Sequence, residues 1–263
     1  MSSDVASLDQ ALGKAAKILR VLREQGLSGE ALHLPVNEPW ARQSVVDHWQ
    51  TLCSDMSPDQ AQARGIMGSN FFGIPEVVRH FRAPLWDVHK RTLEKVPFRM
   101  ETLKACAKTH VLIAVLPLSI RDLYLQHKDL FRWMSFHHVF ERELIKEAFV
   151  SDNGDAAWHL VRKDPLPCSL GKSLEQQEKL LRPSDLQSSA RVMAHTILGH
   201  YMVTSEELFP ETVVRTTSRF TTNIELVADV GDFHIKRGLC ISGLQAWQDA
   251  VRVGLAVERK PDF

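Results

Sequence analysis

Leu8, Leu12, Ala15, Leu19 and Leu22 recur at alternating spacings of four and three, with Lys14, Lys17, Arg20 and Arg23 on other faces. That period places one apolar stripe along a helix, and Gly26 supplies its C-cap. The segment reads either as a docked amphipathic helix or as a short coiled coil, in which case it is a handle for self-association. After a connector holding Pro35 and Pro39, Val45, Val46, Trp49 and Leu52 share a face and predict a helix over 40–52. Ser57-Pro58 predicts another helix start, because serine caps and proline suits the first turn. Residues 65–73 (GIMGSNFFG) read as a turn with embedded aromatics. Further helices are expected from Pro75 to Phe81, from near Pro84, and from near Phe98 to before His110.

The pattern then changes. Residues 109–120 (THVLIAVLPLSI) form a β-branched, continuously apolar run, as a strand covered on both faces requires. Pro117 confines that run to an edge or to a strand end. Residues 156–163 (AAWHLVRK) alternate and predict a second strand. Helices are expected over 173–181 and 188–208, the latter burying Val192, Ile197, Leu198 and Met202 on one side. Short strands follow around 213–217, 224–230, 238–241 and 253–258, punctuated by glycines and Asp232. Their connections are too short for crossover helices, which predicts antiparallel pairing. The expected fold is α+β: a helical region over 1–105, then a mixed, mostly antiparallel sheet with two packed helices over 106–263, packed as one body.

Composition narrows the function classes. The 32 Lys and Arg balance the 32 Asp and Glu, so no overall charge draws the chain to nucleic acid, and little repulsion opposes self-association. Cys53, Cys106, Cys168 and Cys240 are far apart and form no CxxC, which reads as free thiols rather than a zinc site or disulfide framework. The first residues lack the apolar core of a signal peptide, and VLIAVLPL at 111–118 is too short to span a bilayer. A cytoplasmic protein without membrane contact is expected.

Familiar chemistries fail for specific reasons. Gly171-Lys172-Ser173 resembles part of a phosphate loop, but Leu166 stands where the leading glycine belongs. Gly65, Gly68 and Gly73 do not match GxGxxG. His195 and His200 are five apart, whereas two zinc ligands on one helix face are four apart. No HExxH or GxSxG occurs, and no cofactor is expected. One cluster survives as candidate metal ligands or an acid–base set: His137, His138 and Glu141, with Glu143 nearby. The same residues also suit a solvated, charge-rich helix face. Among six tryptophans, Trp247 stands apart, lying between two closing strands in GLQAWQDAVRVG beside Asp249 and Arg252. Tryptophan and arginine in a loop are typical binding hot spots, and packing over a sheet edge is the alternative.

Residues 67–81 (MGSNFFGIPEVVRHF), 108–120, 158–169 (WHLVRKDPLPCS), 190–200 (ARVMAHTILGH) and 253–260 (VGLAVERK) resemble a group of uncharacterised bacterial proteins, a likeness that covers most of the chain after residue 66. It implies no assigned reaction. The tail is also similar to the end of C-type-lectin-like folds, including the variable proteins of diversity-generating retroelements. There the loop before the last strand binds ligand, which implies a binding role for Trp247, Asp249 and Arg252; the loop is shorter here and lacks the asparagine-rich character. Together these features predict a non-enzymatic binding or assembly module, with a protein partner or a second copy engaged through the N-terminal helix. The alternative is a metal-dependent hydrolase or nuclease built on the His137 cluster.

Overall fold

A computed structural model describes residues 56–131 and 144–262. The helices expected over 8–22 and 40–52, and the cluster of His137, His138 and Glu141, lie outside the described residues. The helices are α1 (Pro58–Met67), α2 (Ile74–Phe81), α3 (Asp87–Leu93), α4 (Met100–Cys106), α5 (Ile120–Gln126), α6 (Ala148–Ser151), α7 (Leu174–Glu178) and α8 (Ala190–Thr204). The strands are β1 (Phe71–Phe72), β2 (His110–Val115), β3 (Ala157–Arg162), β4 (Asp185–Gln187), β5 (Val213–Arg219), β6 (Leu226–His234), β7 (Gly238–Gln245), β8 (Val253–Leu255) and β9 (Val257–Arg259). The fold is α+β, with helices leading into two mixed sheets.

Helix α1 begins at the Ser57-Pro58 signal. The Ser57 hydroxyl accepts the Gln60 amide at 3.2 Å, and Pro58 fills a position where no N–H is needed. The helix runs straight through Gly65, and the chain turns only at Gly68, whose φ of +57° suits a residue without Cβ. Where a turn with aromatics is expected, Phe71 and Phe72 instead form β1, paired parallel to β2 and both buried. The area two phenylalanines bury decides this local choice over the glycine spacing. The Leu93 carbonyl then gathers three elements, accepting from Gln60 Nε2 of α1 at 2.7 Å and from Trp158 Nε1 of β3 at 2.9 Å.

The first sheet has the order β1-β2-β3-β9-β4. All six residues of β2 are buried, as its unbroken apolar run requires, and the strand stops before Pro117. The second sheet has the order β7-β6-β5-β8. Pairing is antiparallel apart from β1 on β2 and β8 on β5, where the mostly antiparallel expectation meets its exceptions. The single strand expected over 253–258 is two strands in two sheets. Ala256 is the join: its N–H donates to the Arg215 carbonyl in the second sheet, while its own carbonyl accepts from Ser188 N beside the first.

Helix α8 packs against β1, β2 and β3 on one side and β5 and β6 on the other. One buried stripe is expected there, but every residue from Ala190 to His200 is buried. A helix enclosed by sheets and helices is mostly apolar all round, and its buried polar residues Arg191, His195, Thr196 and His200 each find a hydrogen-bond partner. At Gly199 the helix comes so close to β1 that an added Cβ would lie 2.7 Å from Phe72 Cε1. One core cluster runs from Ala63 to Ala256. A smaller one, of Leu166, Leu174, Val227, Leu255 and Val257, lies under α7. No helix among the described residues is long and apolar enough to cross a membrane.

Candidate functional site

Trp247, Asp249 and Arg252 lie on one loop, 246–252, that joins β7 to β8. Two turns shape it: Gln248 N donates to Gln245 O at 3.0 Å, and Val253 N donates to Ala250 O at 2.9 Å. Three neighbouring segments hold its backbone. Ala246 N donates to Glu225 O, Leu174 N of α7 donates to Ala246 O, and Val213 N of β5 donates to Arg252 O, all at 2.9–3.1 Å.

The strongest restraint comes from beneath. Arg215 of β5 is fully buried, and its guanidinium donates to three acceptors. Nη1 donates to Lys172 O at 2.6 Å and to Gln177 Oε1 at 3.1 Å; Nη2 donates to Gln248 O in the middle of the loop. Gln177, also fully buried, turns its amide nitrogen to Ser169 O at 2.8 Å and Val253 O at 3.0 Å. The Ser169 hydroxyl accepts Leu255 N at 3.0 Å. The segment 165–181 and the loop are thus wired to each other through buried polar side chains, each of which would be costly to leave unpaired.

The charge of Arg215 is answered by Asp229, its cross-strand partner on β6, which is 2% exposed. Burial pushes the Asp229 carboxyl up to about 7 against the pull of Arg215. Burial likewise lowers Arg215, opposed by Asp229 and by Asp249 from the loop. Asp249 therefore belongs to the electrostatic surroundings of the anchor, whereas the Arg252 side chain stands exposed.

Above this anchor the loop presents apolar surface. Val251 is 85% exposed, Ile224 75% and Trp247 68%, the three highest values for large hydrophobic residues among the described residues. Ile224 precedes Glu225, whose carbonyl accepts from Ala246 N, so it stands beside the start of the loop. Leu170, also exposed, adjoins Gly171, whose Cβ position lies 4.0 Å from Val251 Cα. Apolar side chains on a backbone fixed from below are already held in place for docking, which lowers the ordering cost of association.

The other sequence candidates separate in space. His195 is fully buried in α8, donates through Nδ1 to Arg191 O at 2.9 Å and packs edge-on against Phe81; burial lowers it to about 3. His200 instead meets Glu206 at 3.0 Å, so the two histidines serve different neighbourhoods, as a spacing of five implies. Among the described residues no three His, Cys, Asp or Glu side chains are grouped to hold a metal. Cys106, Cys168 and Cys240 are free. Sequence reasoning missed Arg215 and Asp229, which sit in stretches that read as ordinary strands, and Gln177, which sits in a polar stretch that reads as an ordinary helix. Compared with models of known families, with curated proteins and with solved structures, the chain matches none.

Proposed function

We propose that the chain is a non-enzymatic, cytoplasmic binding module that docks a partner protein through loop 246–252. The observation that carries this reading is the pairing of an exposed Trp247, on a loop that also exposes Val251, with a backbone held from below by fully buried Arg215. Exposed aromatic and aliphatic anchors ringed by charge are the usual composition of interface centres, and Asp249 and Arg252 supply that polar rim.

The test compares the full chain with Trp247→Ala and Arg252→Ala in quantitative affinity capture, with thermal melts as the folding control. Both substitutions lie on exposed side chains and are expected to change stability by less than about 0.5 kcal/mol. A partner held by the native chain should be lost by both variants. Removing a hot-spot tryptophan is expected to cost at least ~2 kcal/mol, about thirtyfold in Kd. A set of captured proteins identical for all three chains overturns the reading.

A further inference from the structure

At the opposite end of β3 from its link to α3, the first sheet meets the loop leaving α8. Lys163 follows β3 and donates to Asn70 Oδ1 at 3.3 Å and to the Glu206 carboxylate at 3.0 Å. Glu206 also holds buried His200 at 3.0 Å, so one carboxylate bridges a lysine and a histidine. Burial tends to raise Glu206, but its hydrogen bonds from Lys163 and His200 prevail and lower it. The segment that carries Glu206 is set by two non-glycine residues in the left-handed region, Ser205 at φ +61° and Phe209 at φ +52°. Each such conformation costs about 1–2 kcal/mol.

Beside this bridge lies a cavity of about 250 Å³, lined by Lys108, Lys163 and Asp164, by Glu206 and Glu207, and by Leu208 to Pro210. Drug-sized ligands occupy pockets of roughly 300–1,000 Å³, so this one takes a smaller molecule. Its charges divide into two sets. Lys163 and Glu206 satisfy each other. Lys108 and Asp164 do not: they flank one end of the β2–β3 pair, just past the Lys163 N to Thr109 O hydrogen bond, both line the cavity, and neither has a hydrogen bond or ion pair among the described residues. Glu207 Oε1 accepts from Ile235 N at 2.8 Å and lies 3.9 Å from His234 Nδ1, which leaves Oε2 to face the cavity. The cavity wall thus offers one uncommitted cation and two carboxylates with accepting capacity, over an apolar floor of Leu208 and Phe209, both nearly buried.

We propose that this cavity is a small-molecule site for a zwitterion of the free α-amino-acid class, its carboxylate on Lys108 and its ammonium between Asp164 and Glu207. A purely anionic ligand would face the excess of carboxylates, and a simple amine would leave Lys108 unanswered. The site is separate from the Trp247 loop and does not depend on the reading given to that loop.

Calorimetric titration and thermal melts of the full chain against the standard α-amino acids provide the test. For each responder, the matching alkylamine and the matching carboxylic acid are run beside it. At least one amino acid should bind saturably and raise Tm. Lys108→Ala and Asp164→Asn, both at exposed positions, should each weaken it at least about tenfold, while Trp247→Ala leaves it unchanged. Three results overturn the proposal: no amino acid binds, the amine or acid alone binds as well as the amino acid, or binding survives both substitutions.

Discussion

Arg215 and Asp229 are cross-strand partners on β5 and β6, both buried, and Arg215 donates to the carbonyl of Gln248. Two buried residues of opposite charge on neighbouring strands are thereby made the footing of an exposed loop.

Arg215→Met should therefore do two things. It leaves Asp229 without its counter-charge and strips the Lys172 and Gln248 carbonyls of a donor, for an expected loss of about 3–5 kcal/mol in urea unfolding. The amide of Gln248 should also exchange faster with solvent. Because a buried pair can often be replaced as a unit, Arg215→Met combined with Asp229→Leu should be less destabilised than Arg215→Met alone. A double variant that simply sums the two single losses would show that the pair is not coupled.

Stability should fall as the pH drops from 6.5 to 4. Burial lowers His195 to about 3 and His110 to about 4, so in this window the unfolded chain takes up protons that the folded chain refuses. Asp229, raised to about 7, acts in the opposite sense, since the folded chain holds a proton there that the unfolded chain has released. The two histidines outweigh it, and His80, His127 and His200 are lowered in the same direction. Each net proton contributes up to about 1.4 kcal/mol per pH unit. Urea melts at pH 7 and pH 5 check the sign; a chain equally stable or more stable at pH 5 refutes it.

Gly199→Ala separates packing from propensity. In an exposed helix the change would stabilise by about 0.8–1.0 kcal/mol. Here the new methyl would lie 2.7 Å from the Phe72 ring, so a loss of about 1–3 kcal/mol is expected. Adding Phe72→Leu makes room and should recover part of it. If Gly199→Ala alone raises Tm, the close approach of α8 to β1 is wrong.

Local signals made much of the fold legible. The Ser57-Pro58 cap, the unbroken apolar run of β2 and the alternation in β3 each state their structure within a few residues. Long-range contacts hid the rest. Helix α8 is enclosed on all sides, which only the placement of two sheets could reveal. The run VGLAVER carries one continuous pattern, yet Ala256 divides it between sheets. The Trp247 loop was visible as a tryptophan and an arginine between strands. Its anchor was not, because VVRTTSR around Arg215 reads like a strand with a wet face, and nothing local marks that face as covered by α7.

The splice at Ala256 also sets an order of events. Strand β9 is an interior strand of the first sheet, lying between β3 and β4, and β8 completes the second. Neither sheet reaches its full strand order until residues 253–259 are available. At a synthesis rate of about 5–20 residues per second, a nascent chain carries β3 and β4 unjoined through the whole time taken to make β5 to β8. Until residues 253–259 join them, β3 and β4 keep open strand edges that could pair with another chain.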